Sequence, residues 1–97
     1  MLHTLNKSPF SHTSLENCLR FIKPDDVLLL LEDGVYAATR GTSRSHLIEQ
    51  ALQNGHVFAM QADLKARGLT DLIDGVQLAD YDKFVELLEQ HSSHAWR

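Results

Sequence analysis

The sequence is poor in the residues and runs that carry redox, membrane and nucleic-acid functions. Cys18 is its one cysteine, so an internal disulfide is impossible and a CxxC motif is absent. Acidic residues outnumber basic ones by 13 to 9, and no run of like charge exceeds two residues, which disfavours direct contact with nucleic acid. The longest apolar run, residues 27–31, is too short to cross a bilayer. With no basic-then-apolar leader, the expected location is the reducing cytoplasm.

Motifs that bind phosphates, metals or acyl groups are also missing. No GxGxxG or GxxxxGK[ST] pattern follows a predicted strand, and no serine has the context of a nucleophile elbow. Of the six histidines only His91 and His94 lie close together, and neither cysteine nor carboxylate completes a metal pattern there. We therefore expect no cofactor and no metal.

The overall composition is that of an ordinary folded domain. Apolar residues make up 43% of the chain and charged residues 23%, which is a balance that disfavours disorder. Because 97 residues suffice for one compact core, we expect a single domain spanning residues 1–97.

Short apolar runs alternate with helical patterns along the chain. The run at 27–31 lacks polar alternation, which is typical of a parallel strand covered on both faces. Alternation of strands and helices with short connections predicts an α/β fold: a mainly parallel sheet of four to five strands, flanked by helices on both faces. The predicted strands are residues 2–5, 27–31, 56–60 and 76–79, with an edge strand at 95–96; the helices are 13–23, 35–39, 45–52, 61–67 and one after Asp80.

Two of the helices carry recognisable start signals. Thr13 and Glu16 have the T-x-x-E form of a capping box, in which each side chain bonds the other residue's backbone amide. Asp80 is placed to cap the last helix. That helix has one apolar stripe, which we expect to face the core, formed by Tyr81, Phe84, Val85 and Leu88.

Cys18 is the first candidate for chemistry, because it is the only side chain able to carry a persulfide. That role requires exposure and a lowered thiol pKa. However, with Thr13 as the cap, Cys18 lies at the fifth helical position, beyond the turn where the helix dipole acts most strongly. It also lies on an apolar stripe with Leu15, Leu19 and Ile22, so the competing interpretation is a small buried hydrophobic residue.

Two further features have both structural and functional interpretations. Asp33 and Gly34 follow the strand at 27–31, at the end where open α/β sheets bind ligands, so a magnesium or phosphate site is conceivable there. Acidic residues around a buried strand are more often solvated turn formers.

Trp96 is a large aromatic side chain near the end of the chain, and we expect it to dock on this domain or on a neighbouring protein.

The sequence resembles the TusB/DsrH family of sulfur-relay proteins. Residues 1–10 (MLHTLNKSPF) and 26–38 (DVLLLLEDGVYAA) carry the resemblance most specifically. Residues 63–69 (DLKARGL), the segment from Asp80 to Val85 and the Ala95-Trp96 ending also match, so the resemblance runs almost end to end. It implies a DsrE-like fold, which agrees with the pattern of strands and helices.

The resemblance also implies partners and a pathway. Family members join TusC/DsrF-like and TusD/DsrE-like subunits in a dimer of heterotrimers. In Tus systems this complex passes persulfide sulfur, through sulfur-carrier proteins, toward 2-thiolation of the tRNA wobble uridine. In Dsr systems it serves dissimilatory sulfur oxidation. The principal cysteine is on the TusD/DsrE-like subunit, so this chain is expected to be mainly structural.

The resemblance gives Cys18 a specific interpretation as well. DsrH-like members tend to carry a cysteine in the first helix, and Cys18 occupies that place. It is therefore the candidate accessory persulfide acceptor. The alternatives are a non-catalytic interaction module and a small-molecule-binding α/β protein that uses Asp33 and Gly34.

Overall fold

Strands and helices alternate along the whole chain in the computed structural model, which describes residues 1–97. The apolar run of β2 is buried throughout, as its lack of alternation predicts. The elements are β1 (Leu2–Leu5), α1 (Ser14–Phe21), β2 (Val27–Leu30), a 3-10 helix (Glu32–Ala38), α2 (Ser45–Asn54), β3 (His56–Met60), α3 (Gln61–Ala66), β4 (Gln77–Ala79), α4 (Tyr81–Gln90) and β5 (Ser93–Trp96).

All five strands are parallel, in the order β4-β3-β2-β1-β5. Leu2 pairs with Val27 on one side and with Ser93 on the other, so β1 lies inside the sheet and β5 forms an edge. The chain steps from β1 to β4 in one direction and then returns past β1. Right-handed crossovers place α4 on the opposite face from the earlier helices. The predicted fold class and the edge strand are confirmed.

The two faces of the sheet carry cores of unequal size. Leu28 and Leu30 point to the face covered by α1, α2, α3 and the 3-10 helix, where 13 buried residues form one cluster. Leu29 points to the other face, where only α4 packs and the cluster has 6 buried residues. Successive side chains of β2 point to opposite faces and thus contribute to both cores.

One of the two predicted helix caps is wrong. Thr13 precedes α1, but its side chain makes no capping hydrogen bond, and Oε1 of Glu16 is buried without a partner. The reason is the backbone of Thr13, with φ −96° and ψ 13°, since capping needs an extended residue. Asp80 has that extended backbone, and its carboxylate accepts a hydrogen bond from the Lys83 amide at 2.8 Å, as predicted.

The apolar stripe predicted for α4 does not face the core as expected. Leu87 is the residue of α4 that is buried, at 3% exposure, whereas Tyr81 is 71% and Leu88 42% exposed. Phe84 and Val85 are half-buried. Because α4 lies alone on its face of the sheet, it packs along one line through Phe84 and Leu87, and Tyr81 and Leu88 stay exposed.

Other element boundaries shift by a few residues. The helix predicted at 35–39 is a 3-10 helix that already begins at Glu32, and the helix predicted at 61–67 ends at Ala66. Gly68 then adopts φ +65°, the left-handed conformation expected after a helix end.

Candidate functional site

Cys18 lies on the inner side of α1 and is fully buried, among the residues of the larger core. Burial, together with the negative charge of Asp26, raises the pKa of its thiol to about 12. In this conformation the side chain is a packed neutral thiol, as the competing interpretation of the sequence expects. A role as sulfur acceptor stays a prediction, and it requires α1 to move.

Asp26 is the centre of a polar network at the amino-terminal edge of the sheet. Its carboxylate accepts hydrogen bonds from the Met1 ammonium at 3.0 Å and from the backbone amide of Lys23 at 3.0 Å. It also lies 2.9 Å from Nε2 of His3. This one carboxylate therefore ties together the start of β1, the loop after α1 and the entry to β2.

Trp96 extends this network to the edge strand. Its indole Nε1 donates to Nδ1 of His3 at 3.0 Å. Because an indole N–H is a donor only, Nδ1 must be the unprotonated nitrogen of the imidazole. The ring proton is then on Nε2, which donates to Asp26. The geometry fixes His3 as the neutral Nε2–H tautomer, and the expectation that Trp96 docks on this domain is confirmed.

The network controls the ionisation of Asp26. Burial alone raises the pKa of this carboxyl group, but the hydrogen bonds from His3, the Lys23 amide and the Met1 ammonium lower it, as does the ammonium charge. The net result is a pKa well below the usual range for aspartate. Asp26 is thus a permanent anion at neutral pH, and it disfavours a second negative charge on Cys18.

An open cavity of about 760 Å³ lies beside the network. Phe21 and Trp96 form one side of it, with stacked rings whose centroids are 5.7 Å apart. Cys18 is not among the residues that line the cavity, so the thiol does not reach solvent by this route. The lining residues are Met1, His3, Phe21, Lys23, Asp26, His94 and Trp96.

The turn at Asp33 and Gly34 lies at the carboxyl end of β2 and is closed by protein contacts. Asp33 accepts from Arg67 at 2.9 and 3.1 Å, and the Glu32 amide donates to the Asp63 carboxylate at 2.8 Å. Gly34 packs directly on the carbonyl of Leu5, where a side chain has no room. Asp63 and Arg67 therefore brace this turn, and the polar groups considered from the sequence as ligand contacts are engaged within the chain.

Two other kinds of site are absent from the structure. No group of three or more His, Cys, Asp or Glu side chains is arranged to hold a metal ion. No helix is long and apolar enough to span a membrane.

The polar network was missed by sequence reasoning, although Trp96 was singled out. His3 and Asp26 are 23 residues apart and His3 and Trp96 are 93 apart. A histidine placed on the inner side of a first strand was the available signal, since such a buried polar group needs partners.

The fold defines the class of the protein: a parallel-sheet α/β domain shared with several solved structures. The ychN protein from Escherichia coli superposes with a TM-score of 0.81 and 23% identity, over 98% of this chain and 95% of that one. The protein MTH1491 from Methanobacterium thermoautotrophicum gives a TM-score of 0.70 and 16% identity, over 97% and 95%. At these identities the likeness shows the fold alone.

Sequence comparisons define the family. The family model described as "DsrH like protein" matches residues 7–94. A protein named TusB from Pectobacterium parmentieri is 40% identical over 99 residues, covering 99% of this chain and all of the relative. Protein TusB of Escherichia coli K12 is 43% identical over 98 residues, with the same coverage. The chain therefore belongs to the TusB/DsrH family, and the resemblance stated from its motifs is confirmed.

Proposed function

We propose that this protein is a non-principal subunit of a cytoplasmic sulfur-relay complex that supplies persulfide sulfur for 2-thiolation of the tRNA wobble uridine. The observation that carries the proposal is full-length similarity to proteins named TusB. Its partners are a TusC/DsrF-like and a TusD/DsrE-like subunit, in a dimer of heterotrimers, and sulfur-carrier proteins act through the complex.

The state of Cys18 supports the non-principal role. A principal acceptor needs an accessible thiolate, whereas this thiol is buried and has its pKa raised to about 12. No other side chain of the sequence can carry a persulfide. In this proposal the sulfur received from the donor is carried first by a cysteine of the TusD/DsrE-like subunit, as the family resemblance implies.

An accessory role for Cys18 is the second part of the proposal. After displacement of α1, the Cys18 thiolate attacks the outer sulfur of a partner's persulfide. A new S–S bond forms on Cys18, the old S–S bond breaks, and the partner's cysteine leaves as a thiolate. Sulfane sulfur changes carrier without an external oxidant or reductant, and the proton lost from Cys18 balances the one gained by the released thiolate.

The presence of a cysteine in the first helix favours a second candidate pathway. This position resembles DsrH-like members, so service in dissimilatory sulfur oxidation is the alternative to tRNA thiolation. Deleting the gene distinguishes them: loss of wobble-uridine thiolation supports the first, and loss of growth on reduced sulfur with normal tRNA supports the second.

The test of the relay uses the full chain with its two partner subunits and a persulfide donor. Intact-mass analysis of wild type is compared with Cys18→Ser. One added sulfur atom on wild-type chain, absent from the variant, is expected if Cys18 is an accessory acceptor. If the variant retains both assembly and the wild-type transfer rate, the chain is a pure interaction module. Failure of wild type to join the partner subunits would refute the relay proposal itself.

A further inference from the structure

An apolar strip on α4 remains uncovered in the folded chain, and we propose that it docks a basic partner subunit. The strip is formed by Tyr81, Val85 and Leu88; Tyr81 is 71% and Leu88 42% exposed. At 3.6 residues per turn, these three lie along one line of the helix, about a third of a turn away from buried Leu87. The inference rests on the proposed function, because the partner is a subunit of that complex.

The chain contains no element that covers this strip. α4 is the one helix on its face of the sheet, and it is held there through Leu87 and Phe84 against β2 and β3. Tyr81 packs edge-on against Phe84, with centroids 6.4 Å apart, so its ring has a defined position despite its exposure. A rigid aromatic side chain at an exposed edge is well suited to anchor a protein interface.

The charges beside the strip specify the partner's chemistry. Asp82, Glu86 and Glu89 are exposed and follow the strip on the side away from the sheet. Lys83 is the only basic residue of α4; it pairs with Glu86 at 3.6 Å and lies over the Phe58 ring. Asp82 and Glu89 have no ion pair. The strip therefore fits an apolar groove bordered by Lys and Arg side chains.

The same charges disfavour a second copy of this chain as the occupant. Two strips packed antiparallel around a twofold axis bring the acidic rows of both copies together. The chain also carries a net charge of −4, which opposes self-association. A related subunit with a basic border meets both the apolar and the electrostatic requirements.

A shallow depression beside Tyr81 adds a concave surface next to the strip. It has a volume of about 460 Å³ and lies where β3 and β4 end. Met60 contributes an apolar wall, while Lys65 and Asp80 lie at its edge. A projecting side chain of the partner can enter next to the Tyr81 ring, which extends the contact beyond the helix itself.

The experiment measures binding of the full chain to the purified pair of TusC/DsrF-like and TusD/DsrE-like subunits. Tyr81→Ser and Leu88→Gln are expected to weaken binding by roughly 30-fold each. Glu89→Gln is expected to slow association and to reduce its salt dependence. Phe10→Ser is the matched control, because Phe10 is an aromatic side chain, 48% exposed, in the loop between β1 and α1. Circular dichroism establishes that each variant is folded.

The outcomes separate this inference from the proposed function. If wild type does not bind the pair, the relay proposal fails and the docking proposal fails with it. If wild type binds, and the Tyr81 and Leu88 variants bind as tightly or lose no more than Phe10→Ser, the docking proposal alone is overturned. If the isolated chain forms a homodimer and Tyr81→Ser dissociates it, the occupant of the strip is a second copy. That result would overturn the assignment of a basic partner.

Discussion

The two faces of the sheet use apolar surface in opposite ways. On the α1 face, three helices and the 3-10 helix enclose a core of 13 buried residues, and the single thiol of the chain, Cys18, is buried within it. On the α4 face, 6 buried residues lie under a single helix, and Tyr81 and Leu88 remain exposed. The α1 face therefore keeps its thiol from solvent but opens at the cavity beside Phe21 and Trp96, whereas the thinner α4 face leaves apolar side chains of its one helix exposed.

The largest expected effect comes from comparing one leucine on each face. Leu28→Ala removes a side chain enclosed by the larger core and is expected to lower the free energy of unfolding by about 4 kcal/mol. Leu87→Ala, under the single helix, is expected to cost about 2 kcal/mol, because solvent and neighbouring chains can relax into the space. Urea denaturation measures both. Equal losses would show that the two faces are equally well packed.

The next effect concerns the network that anchors the α1 face at its amino-terminal edge. Asp26→Asn leaves the Met1 ammonium and the donors of His3 and Lys23 without an anionic acceptor. We expect a loss of about 2 kcal/mol at neutral pH. Asp25→Asn is the matched control, since Asp25 is exposed and has φ 71°, a conformation that asparagine tolerates.

The pH dependence of stability tests the same carboxylate. Because the pKa of folded Asp26 lies below that of the unfolded chain, about 3.9, the folded state binds fewer protons. Its contribution is therefore complete above about pH 5 and is lost as the pH falls toward the lowered folded value. Thermal unfolding of wild type and Asp26→Asn should converge in acid. A constant difference down to about pH 2 would contradict this assignment.

Some of this asymmetry was readable from the sequence and some was not. The continuous run of β2 predicted a strand buried on both faces, because the signal is local. The stripe of α4 predicted an amphipathic helix but not its rotation, which depends on how many neighbours share that face. The capping box failed at Thr13 because two residue types cannot specify a backbone conformation. His3, Asp26 and Trp96 are distant in sequence and are brought together only by strand pairing in the sheet. No local sequence pattern therefore predicts the network.

A smaller effect is expected at the edge strand. Trp96→Phe keeps an aromatic ring against Phe21 but removes the N–H that donates to Nδ1 of His3. The expected loss is about 1 kcal/mol, with faster amide exchange in β5. Nitrogen chemical shifts of the His3 ring report the tautomer directly. Phe21→Leu serves as the control because it leaves the donor in place, and an unchanged His3 signal in Trp96→Phe would argue against the hydrogen bond.

The smallest expected change in stability belongs to the exposed strip of α4. Tyr81→Ser and Leu88→Gln should each alter the free energy of unfolding by less than about 0.5 kcal/mol, because neither side chain is enclosed by the fold. Leu87→Ala, one residue from Leu88, provides the contrasting buried position. A large loss in the strip variants would mean that the strip supports the fold. Near-native stability combined with lost partner binding assigns it instead to an interface, so that the thin face of the sheet is completed by another subunit.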